Sequence, residues 1–152
     1  MYDKVLVPLD GSSVAEVVLP HVEELSVSCA GEVILFRVIP PPQGVYDEMG
    51  REIISDDAAI ASATGLAKDY LEQIGESLKK KGVKSVKHEV RIGHPAEAII
   101  DYAKEIHASL IAMATHGRSG VSRWVYGSVA ERVLRGASTP ILLIRATSAN
   151  VS

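Results

Sequence analysis

At 152 residues, with 47% hydrophobic and 23% charged residues, the chain suits one compact soluble domain with a sizeable core. A formal net charge of −3 leaves no basic field for a polyanionic duplex, and 5% aromatics leave few stacking platforms for single strands, which argues against nucleic acid as a partner. No apolar run approaches the roughly 20 residues that span a bilayer, the opening Met1-Tyr-Asp-Lys-Val lacks the basic-then-apolar order of a signal peptide, and the single Cys29 can form no internal disulfide, so a cytoplasmic protein with a buried, inert thiol is expected.

In chain order, Lys4-Val-Leu-Val-Pro-Leu9 is a continuous apolar run that reads as a buried strand of a parallel sheet, with Pro8 ending its ladder. Ser13 with Glu16 makes a capping box, and Ala15, Val18, Leu19, Val22 and Leu25 form one helical stripe that Pro20 should kink. With Ser13 as cap, Asp10 is left at the carboxyl end of the strand, where open α/β sheets bind ligands. There it either accepts hydrogen bonds from both hydroxyls of a ribose or closes an Asx-turn with Gly11 and Ser12.

Glu32-Val-Ile-Leu-Phe-Arg-Val-Ile39 is the next strand, stopped by three prolines, and the backbone of Val38 at its end is placed to read an adenine edge. Residues 40–53 offer Gly, Pro and acids without a period, so a mobile loop or short helical turn is expected. A long helix follows, with Ala63, Leu66, Ala67, Tyr70, Leu71, Ile74 and Leu78 on one face, cations at its last turn, and Gly82 as its stop. Residues 85–92 alternate like an edge strand with one wet face, putting His88 inward as a core residue. Gly93-His-Pro95 turns into a helix with Pro95 at its first position and Ala96, Ile99, Ile100, Ala103 and Ile106 as its stripe.

Leu110-Ile-Ala-Met-Ala114 is a strand that delivers the Gly-rich stretch 113–129. Ser128, three residues before Glu131, reads as a helix N-cap, with Gly117, Gly120 and Gly127 giving backbone freedom and Arg118 and Arg123 supplying charge. Backbone N–H groups converging ahead of a helix can cradle a phosphate, although such loops also merely turn corners. A helix over 129–136 and the strand Ile141-Leu-Leu-Ile144 complete the domain, and 146–152 is a polar tail expected to fray. Strands alternating with helices give a parallel sheet with helices on both faces, and right-handed crossovers make the first and fourth strands neighbours at a topological switch point. The last strand, short and apolar, is a sheet edge able to pair with a second copy.

The segments Val5-Leu-Val-Pro-Leu-Asp10-Gly-Ser12, Thr115-His-Gly-Arg-Ser-Gly120, Gly127-Ser-Val-Ala-Glu-Arg-Val-Leu134 and Pro140-Ile-Leu-Leu-Ile144 resemble the universal stress protein family, in its ATP-binding branch, over residues 1–145. The nucleotide motif of that branch is Gly, two residues, Gly, nine residues, then Gly with Ser or Thr. Here Gly117, nine residues and Gly127-Ser128 match, and Ala114 stands at the first glycine. The added methyl either crowds the phosphates or is accommodated if the backbone angles there are ordinary.

The resemblance implies a single α/β domain over 1–145, a doubly wound, Rossmann-like five-stranded parallel sheet of the adenine nucleotide alpha hydrolase type, with strand order 3-2-1-4-5. It implies ribose contact at Asp10 beside Pro8, and adenine contact at the backbone of Val38. Phosphate contacts fall to Ala114, His116, Gly117, Gly127, Ser128 and Val129, with Met113 and Arg118 beside them. It also implies ATP, with ADP and AMP as alternatives, Mg²⁺ held through phosphates and Ser128, a cytoplasmic stress-response role, and a homodimer through Ile141, Leu142, Leu143 and Ile144. The loop lacks the Lys-Ser/Thr ending of a Walker-type P-loop, and no residue pair supplies an obvious general base, so binding without turnover and an unnamed protein partner are expected. A slow ATPase or phosphotransferase and a nucleotide-free dimeric module are the alternatives.

Overall fold

The computed structural model describes residues 1–41, 45–54, 56–116 and 127–151. Five strands, β1 (Lys4–Pro8), β2 (Glu32–Ile39), β3 (Ser85–Ile92), β4 (Leu110–His116) and β5 (Ile141–Ala146), form one parallel sheet in the order β3-β2-β1-β4-β5. The helices are α1 (Leu19–Cys29), α2 (Asp56–Lys80), α3 (Pro95–Glu105) and α4 (Ser128–Gly136). The expected doubly wound α/β architecture and its strand order are both present.

Two-residue periodicity sorts the strands into two cores. Val5, Val7, Leu9, Val33, Leu35, Leu110 and Ala112 pack with Val22 of α1 and Leu71 and Leu78 of α2. Leu6, Ile34, Phe36, Ile111 and Met113 point the other way, onto Ile99, Tyr102 and Ala103 of α3 and Ala130 and Val133 of α4. Both faces of β1 are sealed, which is why Lys4–Leu9 reads as unbroken apolar sequence rather than as an alternation.

The β1–β4 pairing is short. Val5 pairs with Leu110 and Leu6 with Ile111, and the ladder then stops, although β1 continues to Pro8 and β4 to His116. Ladder alternation turns the backbone of Lys4, Leu6 and residue 8 toward β4. Ser109 N–H donates to the Lys4 carbonyl on that side, while Leu9 N–H donates to Phe36 of β2 on the other. Residue 8 is proline and has no N–H to give, so the sheet parts at its carboxyl edge where β1 ends.

Several local expectations are corrected. Ser13 caps nothing: Ala15–Val18 is a 3₁₀ turn whose cap, Val14, makes no side-chain bond, and it is Ser12 Oγ that accepts from Ala15 N–H at 3.2 Å. Pro20 does not kink a helix, because α1 starts at Leu19 and places Pro20 in its first turn, where a missing N–H costs nothing. Within 40–53 the described residues form a small antiparallel ribbon, Val45–Tyr46 with Glu52–Ile54, closed by a turn in which Asp47 accepts from the Met49 and Arg51 backbones. Leu66 is 68% exposed because it lies to the side of the buried stripe, where its neighbour Ala67 is fully buried, and His88 is exposed on the edge strand rather than in the core. Cys29, in the last turn of α1, is exposed instead of buried. Within the described part of the tail, Asn150 Oδ1 accepts from Thr147 N–H at 2.6 Å, and its Nδ2 donates to the Arg145 carbonyl at 3.0 Å.

Candidate functional site

Where β1 and β4 part, a cavity of about 260 Å³ opens at the carboxyl edge of the sheet, on the α3–α4 side. Its inner wall is apolar, built from Leu9, Phe36, Val38, Pro95, Ile99 and Met113. Its rim is polar, with Asp10 on one side and His116, Gly127 and Ser128 on the other. Of the eleven residues expected at a ligand site, the nine described ones, Pro8, Asp10, Val38, Met113, Ala114, His116, Gly127, Ser128 and Val129, all line this cavity. Gly117 and Arg118, with Gly120 and Arg123, lie outside the described residues.

The splitting of the sheet frees backbone groups as well as space. Phe36 directs its carbonyl to Leu9 of β1, and Val38, two residues on, faces the same side beyond the point where β1 has ended. Its N–H and C=O therefore open over the cavity. Ile39 faces the other way and accepts from Gly93 N–H at 2.9 Å. On β4, Ile111 N–H donates to Pro140 and so faces β5, which turns Ala112 and Ala114 toward the absent continuation of β1. A peptide edge from each side thus meets the cavity, and each offers one donor and one acceptor.

The Asx-turn expected of Asp10 is present. Its Oδ1 accepts from the Ser12 backbone N–H at 2.9 Å and from Ser12 Oγ, closing an Asx-turn in which Gly11 takes φ +87°. The residue is nonetheless exposed and lines the cavity, and one carboxylate oxygen suffices for the turn.

Opposite it, Ser128 is not the cap of α4. Gly127 is, with φ −57° and ψ 149° and no side-chain cap bond, because Gly127 N–H is drawn to Thr115 Oγ1 at 3.2 Å and the helix begins at Ser128. The Glu131 side chain pairs with Arg135 at 2.8 Å instead of completing a capping box. Ser128 Oγ is thereby released to the cavity, and the first-turn N–H groups of a nine-residue helix point at the same space, a favourable place for an anion. His116 lies against Gly127, its Cδ2 3.5 Å from where a side chain on that glycine would start.

Leu9, Val14, Ala15, Phe36, Pro95 and Ile99 also line the cavity and were not anticipated as site residues. Phe36 was accessible in principle, since it shares the face of Val38. Pro95 and Ile99 sit on a helix after a different strand, and only the tertiary arrangement brings them in.

The sequence model of the Universal stress protein family matches residues 1–145. The chain belongs to that family. Among universal stress proteins it is similar to MJ0531 of Methanocaldococcus jannaschii, 31% identical over 95% of this chain and 83% of the relative, and to MJ0577 of the same organism, 32% identical over 95% and 96%. A solved structure of MJ0577 superposes with a TM-score of 0.79 at 30% identity, covering 97% of this chain and 99% of that one. A universal stress protein of Archaeoglobus fulgidus, solved in complex with dAMP, shares the fold at a TM-score of 0.65 and 24% identity over 94% and 98% of the two chains. No described helix is long and apolar enough to cross a membrane.

Proposed function

We propose that this universal stress protein binds an adenine nucleotide, ATP in the first place with ADP and AMP as alternatives, in the crevice between β1 and β4, and works as a cytoplasmic, nucleotide-dependent regulatory module in the stress response. The observation that carries this reading is the convergence on one cavity of Asp10, the unpaired peptide edge of Val38 and the start of α4. Each suits one part of the ligand. An N–H and a C=O side by side complement the acceptor N1 and donor N6 of adenine, whereas guanine presents the reverse pattern. The apolar wall of Phe36, Ile99 and Met113 suits a base, the free carboxylate oxygen of Asp10 a ribose diol, and the α4 amides with Ser128 and His116 the phosphates.

Ala114 meets the ligand through its backbone in this reading, so its methyl group is compatible with nucleotide. Ser128 Oγ, not spent on capping, would help hold Mg²⁺ beside the phosphates, and the cation would neutralise their charge. The archaeal relative of the same fold that was solved with dAMP adds support for the ligand class. Residues 1–145 act as one domain, since a single sheet serves both cores.

A site of about 10 μM affinity probed at 1 mM ATP stabilises the fold by about 2.7 kcal/mol, a shift readily seen in a thermal melt. We expect that shift for the wild-type chain and its loss in Asp10→Ala. No shift with ATP, ADP or AMP overturns the reading in favour of a nucleotide-free interaction module, and steady-state phosphate release that disappears in Gly127→Asp would move it to a slow ATPase.

A further inference from the structure

We propose that Arg37 is a positioning residue for the ligand site: from the opposite face of the sheet, its guanidinium fixes the turn that presents Asp10 to the cavity. This rests on the nucleotide reading above. Phe36, Arg37 and Val38 are consecutive on β2, and the two-residue period sends Phe36 and Val38 to the cavity side while Arg37 goes to the α1–α2 side. There its Cζ lies 5.3 Å from the centroid of the Tyr70 ring on α2. The guanidinium also faces Gly11. A Cβ built on Gly11 would lie 3.2 Å from Arg37 Nη1 and 3.4 Å from both Cζ and Nη2, so the planar group meets that backbone nearly face-on.

Arg37 is therefore a flat cation that lies against both a helix-borne aromatic ring and the residue that follows Asp10. Among the described residues it makes no ion pair within 4.0 Å, although Asp10 and Glu16 are near enough for both carboxylates to act on the Tyr70 hydroxyl together with Arg37. A half-buried cation without a partner is costly unless its field is used. Here it draws the Asp10 carboxylate toward the turn, while stacking limits where Gly11, at φ +87°, can move. The φ of +87° favours glycine at position 11, a Cβ there would press on the guanidinium, and a planar cation suits a place beside the Tyr70 ring.

The role separates from simple packing through the ligand. Arg37→Met keeps the apolar stem and removes the cation, and Arg37→Lys keeps the charge and removes the plane. Affinities for ATP and for 2′,3′-dideoxy-ATP are measured calorimetrically on the full chain, with thermal melts of each variant. If Arg37 acts through the grip of Asp10 on the ribose, Arg37→Met weakens ATP about tenfold, weakens the dideoxy ligand less than twofold, and is partly rescued in Arg37→Lys. Equal losses for the two ligands, or no loss for ATP, overturn the proposal while leaving the nucleotide reading intact. A wild-type chain that binds neither ligand overturns both.

Discussion

Single residues decide this site through backbone geometry more than through side-chain chemistry. Pro8 parts the sheet because it has no N–H for β4. Gly31 is fixed by close approach: a Cβ there would collide with the Tyr2 carbonyl oxygen, beside the point where Glu32 N–H reaches Asp3 at 2.9 Å. Gly31→Ala should therefore destabilise the fold by about 1–3 kcal/mol, measured as a lower urea midpoint with an unchanged slope. Gly127→Ala should not, since the added carbon would meet only His116 at ordinary contact distance.

Tyr70 carries a pH signature at the same scale. Its hydroxyl is buried beside Glu16, and burial first, then the adjacent Glu16 carboxylate, then the negative charge of Asp10, push it well above the ordinary value of 10.0. The neutral phenol is thus favoured in the folded state. Its contribution is complete below pH 10 and is lost as the pH rises through the raised folded value. Ultraviolet titration should show one tyrosine ionising late, and Tyr70→Phe should remove that late step while flattening the alkaline loss of stability.

At the scale of elements, α2 shows how far a helical stripe can be trusted. Leu66 and Leu71 both belong to the apolar pattern read from the sequence, yet Leu66 is 68% exposed and Leu71 is fully buried. The difference is where the sheet lies beneath the helix, which spacing does not reveal. Leu71→Ala should cost about 2–5 kcal/mol, and Leu66→Ala should stay within about 0.5 kcal/mol, in the same chemical denaturation experiment. The capping boxes fail for a related reason. Ser13 and Ser128 have the right spacing to Glu16 and Glu131, but Ser12 Oγ takes the Ala15 N–H and α4 starts at Ser128 with Gly127 as its cap, neither of which the local pattern shows. At Ser128 the failure matters for function, since the hydroxyl is left facing the cavity.

For the whole molecule, the sheet order leaves β3 and β5 as edges. β3 is masked by charge, with Arg91 bonded to Glu105 at 2.6 and 2.8 Å and Lys87 to Glu32 at 3.3 Å. β5 keeps Ile141, Leu142, Leu143 and Ile144 half-buried, with no such charge on those four residues. Because Ile111 N–H bonds to Pro140, the backbones of Ile141 and Leu143 face away from β4 and are available to a second copy. The proposed homodimer should therefore dissociate in Leu143→Pro, which removes an outward N–H that the monomer's own ladder does not use. Sedimentation should report a monomer, and circular dichroism a retained fold. A dimer that persists would place the interface elsewhere.

The order of strands and helices, the apolar run of β1, the Pro95 helix start and the identity of nine cavity residues were all legible in the sequence, because each follows from a local period, a proline, or a family motif. Tertiary structure alone decided that Val38 and Ala114 turn peptide edges, unpaired among the described residues, to one space, that Pro95 and Ile99 join its wall, and that Arg37 lies against Tyr70 and Gly11. Those facts depend on where a neighbouring strand stops and on which face a side chain takes across the sheet. Such relations are set by pairing between distant segments, and no window along the chain contains both partners.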